Sequence, residues 1–253
     1  MSFFGFPITD EFLLYVAAGF AAQIVDGALG MAYGVTASSL LLGMGLPPAT
    51  VSATVHAAEC FTTGASAISH HAFGNIRWSL FKRLLIPGMI GAVIGAYILS
   101  NLPGDSLRPY IAGYLMLMGV VIMFKAFREF PPKRVTTHLA PLGFGGGFID
   151  AIGGGGWGPI VSTTLIVRGN DIRETVGSVN AVEFFVTSAA SVTFVLTLGL
   201  GHWQVIAGLA LGGLLAAPLG GWVCKHLPVR PFMIVVGLLV ILLSLRTLVL
   251  SLR

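Results

Sequence analysis

The sequence predicts an all-α polytopic membrane protein built from two inverted repeats, each a broken, re-entrant helix hairpin followed by three transmembrane helices. The first reason is composition. Only 9% of the 253 residues are charged, 55% are hydrophobic and mean hydropathy is +0.90, whereas a soluble domain carries roughly 25% charged residues to cover its surface. The second is that apolar stretches of membrane-spanning length recur along the whole chain. The third is that the chain matches itself at a shift of 124 residues, rare acidic residues included.

A spanning helix needs about 20 apolar residues. Six stretches meet this directly: 49–71, 80–100, 109–127, 174–200, 203–224 and 231–250. Two more, 12–46 and 138–167, are too long for one crossing, and each is interrupted near its middle by an acid and glycines. The 34 glycines and 13 prolines are spread through the apolar stretches, as membrane helices tolerate when neighbours satisfy the freed backbone groups.

At the 124-residue shift Gly19-Phe20 falls on Gly143-Phe144, Asp26 on Asp150, Gly30 and Gly34 on Gly154 and Gly158, and Glu59 on Glu183. From Asp26 to Thr63, 11 of 38 positions are identical. One residue further on, Trp78 aligns with Trp203, Gly95 with Gly220 and Pro103 with Pro228. Matched acids and tryptophans are too rare in this composition to be shared through apolar bias, so the chain reads as a duplicated unit. The first repeat is 1–128, a linker covers 129–137 and the second repeat is 138–253.

Basic residues decide orientation. If each broken segment returns to the face it entered, one face collects Arg77, Lys82, Arg83, Lys125, Arg128, Lys133, Arg134, Arg168, Arg173, Lys225 and Arg230, which is 11 of the 14. The other face keeps Arg108, Arg246 and Arg253. If each broken segment crosses once, the split weakens to 9 against 5. The hairpin arrangement makes three net crossings per half, so the second half enters from the opposite side. Both termini are then expected on the non-cytoplasmic side and the linker in the cytoplasm.

The net charge of +4 does not signal nucleic acid, because the basic residues lie in short gaps between apolar segments and form no basic face. Cys60 and Cys224 sit inside apolar segments of opposite halves and predict small apolar packing rather than a disulfide. Asp10 and Glu11 precede the first apolar run where a cleaved signal would be basic. Trp78, Trp203, Trp222, Tyr97 and Tyr110 are read as interfacial belts, and Met116, Met118 and Met123 as membrane packing.

Chemistry is expected at the two breaks, Asp26-Gly27-Ala28-Leu29-Gly30-Met31-Ala32-Tyr33-Gly34 and Asp150-Ala151-Ile152-Gly153-Gly154-Gly155-Gly156-Trp157-Gly158-Pro159. Glycines permit unwound backbone, and Pro159 suits the first turn of a new half-helix. N–H groups at such a start attract anions. Gly30, Tyr33, Gly34, Gly154, Gly155, Gly156 and Trp157 are therefore candidate substrate-binding positions. Asp26 and Asp150 either cap the half-helices or take part in ion coupling. No strand precedes the glycine run and no Gly-Lys-Ser/Thr follows it, so a nucleotide fingerprint is rejected.

The helix after the first break carries His56, Glu59, Thr63, Ser66 and His70 at steps of three and four, and its repeat mate carries Asn180, Glu183 and Thr187. Each set forms one hydrogen-bonding stripe. His56 and Asn180 join the substrate-binding candidates. Glu59 and Glu183 join Asp26 and Asp150 as proton-coupling candidates, with Glu59 and His56 able to titrate as a pair; the competing reading is interhelical glue. A metal site from His56, Glu59, His70 and His71 is not expected, because His71 faces off the stripe.

These features resemble the sulfite exporter TauE/SafE family, with its two-repeat layout, a glycine-rich broken segment opening each half and a following helix rich in Ala, Ser and Thr. The second half, with Gly153-Gly154-Gly155-Gly156 and Gly158-Pro159, fits best; Gly30-Met31-Ala32-Tyr33-Gly34 departs from the family's glycine cluster and proline. The resemblance implies transport of sulfite, thiosulfate, sulfoacetate or a related organosulfonate across the bacterial inner membrane, coupled to protons. It implies a small anionic substrate and membrane lipid as partners, no nucleic acid and no cofactor, and leaves a homodimer open. An anion channel lined by both breaks is the alternative; an intramembrane enzyme is set aside because no nucleophile has an obvious base.

Overall fold

The computed structural model describes residues 2–3, 6–7, 10–29, 32–127, 137–199, 202–226 and 229–252. Apart from a two-residue antiparallel ladder between Ser2–Phe3 (β1) and Phe6–Pro7 (β2), the described chain is helical. The first half contains α1 (Asp10–Leu29), α2 (Tyr33–Gly43), α3 (Pro48–Ala72), α4 (Trp78–Asn101) and α5 (Gly104–Ala126). The second contains α6 (Leu139–Gly153), a π-helical turn (Gly158–Ser162) running into α7 (Thr163–Val167), then α8 (Ile172–Leu198), α9 (Trp203–His226) and α10 (Val229–Ser251).

Local chemistry sets these boundaries. Pro48 opens α3 and Leu102-Pro103 closes α4, both positions that suit a ring without an N–H. Asp171 accepts the Glu174 N–H at 2.9 Å and so starts α8. Gly154, at φ 69°, ends α6 in the left-handed region that glycine enters without strain. The helix α5 begins at Gly104 instead of Pro109, because its first turn holds Asp105, Ser106 and Arg108 and is invisible to an apolar count.

Helices Trp78–Asn101, Ser106–Ala126, Arg173–Leu198 and Ile234–Ser251 are long and apolar enough to cross a bilayer. The chain is a polytopic membrane protein. Outward rows such as Ile86, Ile90 and Val93 on α4 or Leu238, Leu242 and Leu245 on α10 are exposed, as suits helix faces that meet lipid. Trp78, Trp203, Tyr97 and Tyr110 are also exposed; the side chain of Trp222 lies outside the described residues.

The strongest helix pairs all join one half to the other: α1 with α9, α4 with α6, α5 with α10, and α3 and α4 with α8. On α4 and α6, Leu84 meets Gly143, Gly88 meets Gly147 and Gly95 meets Phe148 and Ala151, so these helices run parallel with backbones nearly touching. Likewise Tyr15 meets Gly208, and Val16 and Phe20 meet Gly212, between α1 and α9. On α3 and α8 the order reverses: Cys60 lies 3.8 Å from Thr187, Gly64 faces Phe184, and Ser66 accepts from Asn180. The helices α5 and α10 are also antiparallel, with Gly119 against Ile241 and Met123 against Gly237. Small residues give the close approach that packing between membrane helices requires.

A Cβ at Gly91 would strike the Phe144 carbonyl, and one at Gly147 the Gly88 carbonyl, both backbone atoms that cannot rotate away. Gly91→Ala and Gly147→Ala are expected to destabilise the detergent-solubilised protein by about 1–3 kcal/mol, the usual cost of overpacking. Gly113→Ala and Gly145→Ala meet nothing within 4 Å and are expected to leave the melting temperature unchanged or slightly raised, given alanine's higher helix propensity.

Candidate functional site at the two helix breaks

Both breaks are organised by the acid that precedes them. Asp26 Oδ1 accepts the N–H groups of Ala32 at 2.8 Å and Tyr33 at 3.3 Å. At the matched position Asp150 Oδ1 accepts the N–H of Trp157 at 2.8 Å. Each carboxylate thus reaches the N–H groups at the positive end of the half-helix that follows it, which is the capping geometry expected from the sequence.

The second break is closed by the first half. The Ser52 hydroxyl donates to the Ala151 carbonyl at 2.5 Å, the Ser38 hydroxyl to that of Gly154, and the Tyr114 hydroxyl to that of Gly155 at 2.8 Å. Trp157 is fully buried, and its indole N–H donates to the Val179 carbonyl at 3.1 Å. Asp150 Oδ2 lies 3.1 Å from His56 Nε2, while His56 Nδ1 lies 2.8 Å from the Ser52 carbonyl. Both ring nitrogens face oxygen atoms, so the imidazole and the Asp150 carboxyl form one buried pair.

A small polar cavity lies beside the first break instead. Asp26 and Tyr33 line it from α1 and α2, Glu59, Thr62, Thr63 and Ser66 from α3, and Asn180 and Glu183 from α8. Glu59 and Glu183 are the pair matched by the internal repeat, and here they share one enclosure. None of the lining residues is Lys, Arg or His. Glu59 is 3% exposed, and its Oε2 is buried without a hydrogen-bond partner among the described residues. Its Oε1 packs against Gly34, where an added Cβ would come within 2.8 Å.

Of the residues singled out from the sequence, the cavity brings together Asp26, Tyr33, Glu59, Asn180 and Glu183. Thr63 and Ser66 of the stripe line it too, whereas His70 sits near the helix end beside Asn75, 3.2 Å away. His56 and Asp150 are turned toward each other, outside the lining. Gly34 backs Glu59; Gly154, Gly155 and Gly156 are closed in by Ser38, Gly34 and Tyr114. Gly30 lies outside the described residues. Sequence reasoning passed over Thr62, though it stands three residues after Glu59, and Ser38 and Ser52, polar residues in apolar surroundings. Tyr114 carried no signal, since its role depends on where α5 crosses the second break.

The family described as Sulfite exporter TauE/SafE matches residues 15–247, nearly the whole chain. The chain belongs to the TauE/SafE sulfite exporter family. Its relatives include Probable membrane transporter protein YtnM of Bacillus subtilis (strain 168), 40% identical over 249 residues that cover 94% of this chain and 83% of that protein. Probable membrane transporter protein YdhB of the same strain is 26% identical over 227 residues, 86% of this chain and 89% of that protein. Probable membrane transporter protein ORF9 of Sinorhizobium sp is 25% identical over 215 residues, 82% of this chain and 80% of that protein. No solved structure matches the chain. TauE/SafE membership and the relatives' names mark a membrane transporter rather than an enzyme.

Removing one partner of the buried pair leaves the other uncompensated, so Asp150→Ala is expected to cost about 3–5 kcal/mol in thermal or denaturant unfolding. Tyr114→Phe orphans the Gly155 carbonyl, for about 1–3 kcal/mol. Asp26→Asn keeps an acceptor for Ala32 and Tyr33 and should unfold within about 1 kcal/mol of wild type, since Asn and Asp cap helices comparably.

Proposed function

We propose that the protein is a secondary transporter that moves a small sulfur-containing anion, such as sulfite, thiosulfate, sulfoacetate or a related organosulfonate, across the bacterial inner membrane in a proton-coupled cycle. The reading rests on one observation above the rest: Glu59 and Glu183, from matched positions in the two halves, meet with Asp26 in one enclosed polar cavity beside an interrupted helix. The family name supplies the sulfur anion.

Three carboxylates around one small space explain why an anion and a positive charge travel together. Two like charges 4 Å apart repel by about 4 kcal/mol at an effective dielectric of 20. An anion entering beside Asp26, Glu59 and Glu183 is opposed until protons neutralise them. Asp26, Glu59 and Glu183 are the coupling groups in this reading, while Asp150, held by His56, keeps the second break closed. Asn180 and Ser66 are the uncharged polar groups of the cavity that meet the anion in this reading.

The architecture fits a two-fold inverted plan with re-entrant breaks, a recurring design of secondary transporters. Matched helices α3 and α8 run antiparallel, as do α5 and α10, and α2 runs back along α3, with Gly34 near Glu59 and Ser38 and Ser52 both at Gly154. With the basic linker in the cytoplasm, both termini are non-cytoplasmic.

In proteoliposomes under an imposed pH gradient, Glu59→Gln and Glu183→Gln are each expected to slow sulfur-anion flux at least tenfold with near-native melting temperatures. Wild-type rates in both would reduce these acids to helix contacts. Non-saturating flux indifferent to the gradient would establish a channel instead. Phosphatase and fluorescent reporters fused to either terminus should report the non-cytoplasmic side, and cytoplasmic readings would undo the orientation.

A further inference from the structure

The hydroxyls of Thr62, Thr63 and Tyr33 that line the cavity donate to backbone carbonyls and not to its carboxylates. The Thr63 hydroxyl donates to the Glu59 carbonyl at 2.5 Å and the Thr62 hydroxyl to the same carbonyl at 3.3 Å. The Tyr33 hydroxyl donates to the Leu209 carbonyl at 3.2 Å, and the Asn180 amide to the Ser66 hydroxyl at 3.1 Å. What Thr62, Thr63 and Tyr33 have left to offer is oxygen lone pairs, beside the carboxylates of Asp26, Glu59 and Glu183. Separately, the buried Glu59 Oε2 has no hydrogen-bond partner among the described residues. A buried carboxylate oxygen without one is costly, and in a space of about one water's size the partner that suits it is a single small positive ion.

The same oxygens limit the kind of ion. Among the described residues no three His, Cys, Asp or Glu side chains are placed to hold one metal ion together, so a transition metal is not supported. Magnesium demands near-ideal octahedral geometry and keeps several waters, for which this space has no room. One carboxylate with neutral hydroxyl oxygens suits a hard monovalent ion, and the strong field of a carboxylate favours the smaller of these.

We infer that this cavity binds a sodium ion, held by the Glu59 carboxylate and the hydroxyl oxygens of Thr62 and Thr63, with Glu183 and Asp26 supplying further negative charge. This rests on the cavity being the coupling site of the transport reading and deepens it. Sodium takes the place beside Glu59 that a proton otherwise fills, so the cavity accepts either ion of a gradient.

The test measures the cation alone, with no sulfur anion present. Purified wild-type protein in detergent micelles is melted in NaCl, KCl and choline chloride at equal concentrations, and sodium binding is read by equilibrium dialysis with radioactive sodium. A saturable rise in melting temperature specific to NaCl is expected. Thr63→Val should weaken the apparent sodium affinity at least tenfold, Thr63→Ser should restore it, and Glu59→Gln should abolish it. Equal melting temperatures in the three salts with no bound sodium, or wild-type sodium affinity in Thr63→Val, would overturn the inference. Sodium binding intact without sulfur-anion flux would remove the transport reading alone; acid-dependent flux without sodium binding would remove this inference alone.

Discussion

Backbone that leaves a helix inside a bilayer must find its hydrogen-bond partners within the protein, and that constraint shapes the rest of this structure. At the second break the carbonyls of Ala151, Gly154 and Gly155 are met by Ser52, Ser38 and Tyr114, all from the first half. The N–H of Trp157 is met by Asp150. The second break is thus closed by the first half, and the main helix pairs likewise run between the halves.

Interlocking of that kind needs backbones close enough for side chains of one half to reach carbonyls of the other. Glycines at the α4–α6 and α1–α9 crossings supply it. Gly88 serves twice, receiving the α6 backbone at Gly147 and the ring of Trp157. A larger residue there would move the second break away from Ser38, Ser52 and Tyr114.

The two halves are matched but not equivalent. His56 meets Asp150 at the second break, whereas its repeat mate Asn180 bonds Ser66 and Asp26 faces a cavity. Two helices matched in sequence thus carry an imidazole facing an acid on one side and an amide on the other. The transport and sodium readings rest on the polar chamber on the Asn180 side of that difference.

Composition, apolar length and the internal repeat were enough to place the helices and both breaks, because bilayer thickness and backbone satisfaction act on residues in local order. The spans from Pro48–Ala72 to Val229–Ser251 lie close to those read from hydropathy, and the interruptions fall after Asp26 and Asp150. The polar stripe of α3 was also legible, since Glu59, Thr63 and Ser66 stand at helical spacing. Tertiary structure alone decided which side of that stripe meets what: His56 turned to Asp150, and Glu59 to Glu183 and Asp26. It alone decided that the four-glycine run would be sealed and the poorer first break left beside the cavity. Those outcomes depend on helix crossings between residues about a hundred positions apart, and periodicity within one helix carries no information about the neighbour it will face.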